Sequence, residues 1–300
     1  MDIVVFGAGS LGSLVGGVLA REHSVTLVGR TRHVEAVNAS GLQISGAIEE
    51  TASPRASTTT PPRADIAVVT VKAFDTPTAA AALADCSLGA ALSLQNGLGN
   101  EAQLAQHLAC PVLAGTCTYG ARAADPGHVE CTGVGEIVLG ARNGGASTAA
   151  EEVGAAFAAA GLDTTVAEDM PRRLWEKLAV NCGINATTAL ARVQNGAIVD
   201  GPAGETARIA AREVAQVARD HDIDISATEA TAAVAEVART TAANTSSMAQ
   251  DVQTGRQTEI DAINGYVVEH AADPVPVNET LTALVRAWEA ELGLRDADEG

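Results

Sequence analysis

The sequence predicts an α/β protein: an N-terminal Rossmann-type, doubly wound sheet followed by an all-helical C-terminal domain. Three observations carry this. Short apolar strands alternate with Ala/Leu/Val-rich helices through the first half of the 300-residue chain, the order that builds a parallel sheet. A glycine pattern, Gly7-Ala8-Gly9-Ser10-Leu11-Gly12, comes directly after the first strand. Beyond about residue 149 the strand signals fade and helical periodicity takes over. The boundary is placed so that residues 1–166 form the first domain and 167–300 the second.

Each element has a local reason. Residues 2–6 (DIVVF) are a short apolar strand, and the glycine pattern then opens a helix that runs to about Arg21. Residues 24–28 make a second strand, and 42–45 with the stretch around Ile48 a hairpin. Residues 65–71 (DIAVVTV) read as a buried strand, 77–84 as a helix and 90–94 as a strand. A helix over 101–108 and a strand over 112–118 follow, then an antiparallel pair of 129–131 with 136–139. In the second half, 151–160, 171–190, 202–221, 228–240, 257–271 and 277–292 read as helices, with Asp, Thr, Pro or Gly near several ends.

Composition excludes several classes. With 37 acidic and 19 basic residues the net charge is -18, so there is no basic field to attract nucleic acid. No apolar run is long enough to span a membrane. The N-terminus has neither the basic segment nor the cleavage site of a secretory signal, which predicts a cytoplasmic protein. Five scattered cysteines without a CxxC suggest neither a disulfide framework nor a zinc cluster, and no metal is expected. Only two of the 19 basic residues are lysines, Lys72 and Lys177. Acid excess, little lysine and much alanine fit a protein made for concentrated salt, where self-repulsion is screened. A G- and C-rich genome would replace lysine with arginine as well. In either background the two lysines are singled out.

The motifs with chemical content begin at the glycines. Gly7, Gly9 and Gly12 allow a tight turn and close backbone approach, and the helix N-terminus beyond them suits a pyrophosphate. A bare glycine-rich turn is the alternative. The end of the second strand reads Val28-Gly29-Arg30-Thr31-Arg32 and lacks the acid that would hold ribose hydroxyls. Arg30 can instead meet a 2′-phosphate with a planar fork, so NADP is favoured over NAD. Lys72 and Asn96 each follow a buried strand, where the ligand crevice of such sheets lies, and both are candidates to face a nicotinamide. Both are also ordinary loop residues.

The densest constellation is Leu174-Trp175-Glu176-Lys177-Leu178-Ala179-Val180-Asn181-Cys182-Gly183-Ile184-Asn185. On a helix, Lys177, Asn181 and Asn185 fall at i, i+4 and i+8 and form one polar stripe. An ammonium and two amides on one face can hold and protonate an oxygenated anion. A solvated face is the competing explanation, but the solvated faces of this chain are built from Asp, Glu and Arg. Two further patches stand out: Asn244-Thr245-Ser246-Ser247-Met248, where a serine would serve as a helix N-cap, and Thr258-Glu259-Ile260-Asp261, where Glu259 reads as one more surface acid. His128, His221 and His270 lack metal spacing and read as surface histidines.

Taken together, GAGSLG at 7–12, TVKAF around Lys72, SLQNGLG around Asn96, LWEKLAVNCGIN at 174–185, NTSSMAQD at 244–251 and TEIDAINGYV at 258–267 resemble the ketopantoate reductase family over nearly the whole chain. The resemblance implies NADPH-dependent reduction of 2-dehydropantoate to (R)-pantoate, on the way to pantothenate and coenzyme A. It puts the catalytic lysine on Lys177, with Asn96 orienting the reacting groups. It puts substrate contacts on Lys177, Asn181, Asn185, Asn195, Asn244 and Ser247. Cofactor contacts fall on Gly7, Ala8, Gly9, Ser10, Leu11, Gly12, Arg30, Lys72, Asn96, Ala121 and Glu259. A small-molecule substrate, with no nucleic acid or membrane partner, and a monomer or homodimer are implied. Family members often carry Pro after the second asparagine of the stripe, where this chain has Ala186. A reductase of the same design acting on another 2-oxo acid or an imine, and a non-catalytic NADP-binding sensor, are the alternatives.

Overall fold

A computed structural model describes residues 1–295. The chain divides into two compact units, one of Met1–Gln95 with Asn100–Met170 and the other of Asn96–Gly99 with the residues from Pro171 on.

The first unit begins with β1 (Asp2–Phe6), α1 (Ser10–Leu19), β2 (Ser24–Val28), α2 (Thr31–Ser40), β3 (Leu42–Gly46), β4 (Glu50–Ala52) and β5 (Arg55–Ser57). It continues through β6 (Arg63–Val69), α3 (Thr76–Ala84), β7 (Ser87–Ser93), α4 (Asn100–His107), β8 (Val112–Cys117), β9 (Gly120–Asp125), β10 (His128–Gly133), β11 (Ile137–Ala141), α5 (Thr148–Ala159) and β12 (Thr164–Val166). The main sheet runs β12-β11-β8-β7-β6-β1-β2-β5 and is parallel except where β11 meets β8. Ile3, Val4 and Val5 in β1 and Ile66, Ala67, Val68 and Val69 in β6 are buried on both faces of the sheet. A strand covered by helices on both sides must be apolar throughout, which is why these segments read as continuous runs. From β1 the chain first adds β2 and β5 on one side, then β6, β7 and β8 on the other. The C-terminal ends of β1 and β6 are therefore the switch point, where such sheets open a crevice.

A second sheet, β4-β3-β10-β9, corrects one expectation. Residues 129–131 and 136–139 do not pair with each other. β10 pairs antiparallel with β9 and parallel with β3, while β11 joins the main sheet against β8. The Pro126-Gly127 turn decides this, with Gly127 at φ +78° folding β10 back on β9. β9 escaped notice because it is mostly exposed and alanine-rich, so its sequence carries no alternation. α2 was also unread, since only Val34 and Val37 of its ten residues are buried.

In the second unit, α6 (Met170–Ala191), α7 (Ala197–Asp200), α8 (Ala203–Asp220), α9 (Ala227–Thr240), α10 (Ser247–Gln253), α11 (Asn264–His270) and α12 (Pro276–Glu291) follow in order. The helix expected over 257–271 forms only as α11. At Thr258 both the backbone N–H and Oγ1 donate to Glu289 Oε1, at 2.7 and 2.6 Å, and the Ile260 N–H donates to Thr258 Oγ1. These bonds pin Thr258 to α12, and the chain stays irregular from there until α11 begins. α10 is the helix that the N-cap reading of the 244–248 serines implies. Ser246 caps it, its Oγ accepting from the Ala249 N–H.

The core of this unit contains a polar network. Buried Glu213 on α8 accepts from the Val277 and Asn278 N–H groups and from Asn278 Nδ2, capping α12 from a neighbouring helix. Asn264 Nδ2 donates to Asn278 Oδ1 and to the Cys182 carbonyl. Burial pushes the Cys182 thiol well above its usual range, and the Glu213 charge pushes it further. Cys182 is therefore a packing residue of α6, held as the neutral thiol.

His33 on α2 is half-buried. Its Nδ1 accepts from the Gly127 N–H at 3.1 Å, and its Nε2 lies 3.1 Å from Ser13 Oγ. Burial lowers its pKa from 6.5, so folding favours the neutral ring. The unfolded chain takes up a proton near 6.5 and the folded chain only at lower pH. Stability from this group is complete above about pH 6.5 and declines as the pH falls from there toward the folded value. Urea unfolding at constant salt, at neutral pH and at about pH 5.5, should show a smaller pH-dependent loss for His33→Gln than for the native chain. Equal losses would contradict the assignment.

Charge sets a second stability expectation. The ion pairs are mostly surface pairs, such as Arg208–Glu205 and Arg239–Glu236, with side chains 40 % exposed or more. Such pairs contribute little, so the net -18 charge should dominate the salt response through self-repulsion. The thermal midpoint should rise steadily from dilute buffer to about 1 M KCl, where the Debye length is about 3 Å. A melting curve indifferent to KCl would reject the halophilic reading of the composition.

Candidate active site

The first unit contributes the glycine turn, and its three glycines have different reasons. Gly7 has φ +110°, and a Cβ there would lie 2.7 Å from the Val71 nitrogen. A Cβ at Gly12 would lie 2.2 Å from the Gly7 carbonyl oxygen and 2.4 Å from Thr70 Oγ1, so that glycine lets α1 approach the strands closely. Gly9 has neither constraint: its φ is -84°, and a Cβ would meet nothing nearer than the Gly7 oxygen at 4.0 Å. The space over Gly9 is left open at the N-terminus of α1, a helix with no side-chain cap and no acid in its first turn. That combination fits a phosphate-bearing ligand. The Gly7 and Ala8 N–H groups are tied to the Val28 carbonyl, and Thr70 Oγ1 donates to the Gly7 carbonyl at 2.9 Å. Leu11 is partly buried and packs against the core cluster beneath α1.

Around this turn lie the other expected residues of the unit. Arg30 is exposed and directly precedes α2, whose first turn also lacks an acid. Lys72 is half-buried just beyond β6, at the switch-point end, and directly precedes the 3-10 turn Ala73–Asp75. Ala121 lies on β9, which Ser10 ties to the glycine turn by accepting from the Ala123 N–H at 2.9 Å.

The second unit gathers the remainder. Asn96 belongs with it: the Leu98 N–H donates to the Ala262 carbonyl, and Gly97, at φ +81°, lies so close that a Cβ would be 2.3 Å from that same oxygen. Asn96 Nδ2 lies 3.4 Å from Glu259 Oε2. Glu259 is only 6% exposed, so it is no ordinary surface acid. On α6, Lys177 and Asn181 are half-buried and Asn185 is buried. Asn181 Nδ2 is buried with no hydrogen-bond partner among the described residues, as is Asn195 Oδ1. Asn195 Nδ2 donates to Thr241 Oγ1, and the Asn195 N–H to the Asn244 carbonyl, so Asn195 and Asn244 are held as one group. Ser247 starts α10 with its residue exposed, because Ser246 performs the capping.

Sequence reading missed Thr188. Its hydroxyl lies 2.7 Å from Ser246 Oγ and donates to the Ile184 carbonyl, joining the asparagine helix to the cap of α10. Its helical spacing from Asn181 and Asn185 was visible; its partner 58 residues away was not. Of the expected surface histidines, His221 is exposed and His270 half-buried, and both join a ring cluster with Trp175 and Tyr266.

A doubly wound sheet with this glycine turn, followed by a helical unit with a lysine–asparagine stripe, defines the Rossmann class of dinucleotide-binding proteins in its two-domain form. Within that class, the chain belongs to the ketopantoate reductase family: residues 3–144 match Ketopantoate reductase PanE/ApbA and residues 169–289 its C-terminal part. A 2-dehydropantoate 2-reductase of Halobacterium salinarum is 45% identical over 95% of this chain and 98% of its own length. One of Archaeoglobus fulgidus is 40% identical over 97% and 98%. A crystal structure of a PanE/ApbA family ketopantoate reductase from Ralstonia eutropha is 33% identical and superimposes with a TM-score of 0.89 over 98% of this chain and all of that one. A D-mandelate dehydrogenase shares the fold at a TM-score of 0.91, with 24% identity.

Proposed function

We propose that this chain catalyses the NADPH-dependent reduction of 2-dehydropantoate to (R)-pantoate, in the cytoplasmic synthesis of pantothenate and coenzyme A, as a monomer or homodimer. The observation that carries the reading is on α6. Asn181 Nδ2 is buried without a partner among the described residues and lies one helical turn from Lys177, one of only two lysines in the chain. A buried amide without a partner costs free energy, and an oxygen-rich substrate would supply the missing acceptor.

The chain's residues then divide the work. The open space at Gly9 and the N-terminus of α1, formed by Gly7, Ala8, Gly9, Ser10, Leu11 and Gly12, would hold the pyrophosphate. Arg30 would meet the 2′-phosphate, with Lys72 and Ala121 against the rest of the cofactor. Glu259 would accept from cofactor hydroxyls, and Asn96 would orient the reacting groups. NADPH, when bound, supplies the hydride that the keto carbon receives. Lys177 as an ammonium stabilises negative charge on the former keto oxygen and then gives it a proton. Asn181, Asn185, Asn195, Asn244 and Ser247 would bind the substrate's carboxylate and hydroxyl without adding full charges.

The direct test is NADPH consumption with 2-dehydropantoate, pyruvate and 2-oxoisovalerate in parallel, at low and molar KCl. Preference for 2-dehydropantoate in kcat/KM is expected. A better rate with another 2-oxo acid, or none with 2-dehydropantoate, would overturn the assignment.

A further inference from the structure

Glu259 sits in the turn 258–262, and α12 with Arg295 just beyond it grips that turn on both sides. On one side, Glu289 Oε1 takes both the backbone N–H and the hydroxyl of Thr258. On the other, Asp261 receives Arg286 Nε at 2.8 Å through Oδ1 and the Arg295 guanidinium through Oδ2. Arg295 links the two sides, because its Nε also donates to Glu289 Oε2 at 2.8 Å. Glu289 is fully buried, and the Arg295 side chain is 7% exposed. This is unlike the surface pairs elsewhere in the chain. A buried carboxylate is costly unless its charge is paired and its oxygens are hydrogen-bonded, and here each Glu289 oxygen has a partner. The same turn docks Asn96–Gly99 through the Leu98–Ala262 hydrogen bond.

We infer that Arg295 and Glu289 are positioning residues, which set the turn 258–262 so that Glu259 and Asn96 are presented together to the cofactor. Neither touches the ligand in this scheme. They act through the backbone of Thr258 and the carboxylate of Asp261, and hold Glu259 in one place before binding, so that less ordering remains to be done on association. The inference rests on the proposed contact between Glu259 and the cofactor hydroxyls.

The test is a double-mutant cycle on the full chain. Arg295→Ala should raise KM for NADPH by about tenfold with kcat changed by less than about twofold, since ground-state binding is what it supports. Arg295→Lys, which restores charge but not the fork, should recover part of that loss. Glu259→Ala should raise KM in the same way, and Arg295→Ala should add little on top of it, because a residue acting through another has nothing further to lose. If Glu259→Ala leaves KM unchanged, the cofactor role of Glu259 is wrong and this inference falls with it. If Glu259→Ala raises KM but the two substitutions add in full, or kcat and the thermal midpoint fall while KM holds, Arg295 is merely structural and the inference alone is overturned. Should Arg295→Ala fail to fold, Glu289→Gln in the same cycle decides between these outcomes.

Discussion

Lys177→Ala is expected to lower kcat by about two orders of magnitude or more, within the range of 10²–10⁴ that a positioned general acid supplies. That corresponds to roughly 3 kcal/mol or more of transition-state stabilisation. The structure gives the reason. Lys177 lies on α6 one turn from Asn181 and two from the buried Asn185, among the buried apolar neighbours Leu174, Leu178 and Ile184. The substitution removes an ammonium from a half-buried position and leaves the buried side chains of Leu174, Leu178 and Ile184 unchanged, so the fold should survive. NADPH affinity should change little, because Lys177 is not among the proposed cofactor contacts. Lys177→Arg separates the two parts of the role. Arginine keeps the positive charge but does not give up its proton at working pH, so a partial rate would measure charge stabilisation alone. The check is steady-state kinetics with a cofactor titration on the same preparations. A kcat near the native value for Lys177→Ala would remove the lysine from the mechanism.

The second large effect concerns cofactor choice. Arg30→Ala should weaken NADPH binding by about 10- to 100-fold, the worth of a charge-assisted hydrogen bond at about 1.5–3 kcal/mol, and leave NADH almost untouched. Arg30 is exposed where β2 gives way to α2. No acid occupies the end of β2 or the first turn of α2, so nothing there is set to hold a bare ribose, and the helix N-terminus adds attraction for an anion. The Gly29 N–H, tied to the Ser57 carbonyl at 3.0 Å, holds the strand end that carries the arginine. Because the contact is ionic, the NADPH preference should shrink at molar KCl even as the fold grows more stable. Dissociation constants for both nucleotides, measured by fluorescence at two salt concentrations, check both statements. Equal losses for NADPH and NADH, or a native preference for NADH, would show that Arg30 does not select the cofactor.

Much of this protein was legible before any coordinates. The unbroken apolar runs at 2–6 and 65–71 are what a strand covered on both faces requires, so a parallel sheet followed from them. The glycine pattern was informative because it sat between a strand and a helix. The Lys177, Asn181 and Asn185 stripe stood out because helical periodicity is local, and because neither lysine nor asparagine is what this chain uses to cover its surface. Arg30 was visible as the absence of an acid at a strand end. All of these depend on neighbours within a few residues, which is the range over which sequence patterns carry geometry.

Tertiary structure decided the rest, because the deciding partners are far away in the chain. Residues 257–263 form no regular helix, and Thr258 there is bound to Glu289, some thirty positions later. Whether Ser246 or Ser247 caps α10 could not be told from two adjacent serines; only Ser246 caps it, and its hydroxyl also meets Thr188. Asn96 follows a strand of the sheet, yet it packs with the helical unit because Ala262 docks its loop. Glu259 looked like one acid among 37, yet it is buried, in a turn that Glu289 holds through Thr258 and Arg295 through Asp261. Local sequence sets which backbone hydrogen bonds a segment can make. Which of them it keeps is settled when a distant charge or carbonyl offers a better partner in the folded core.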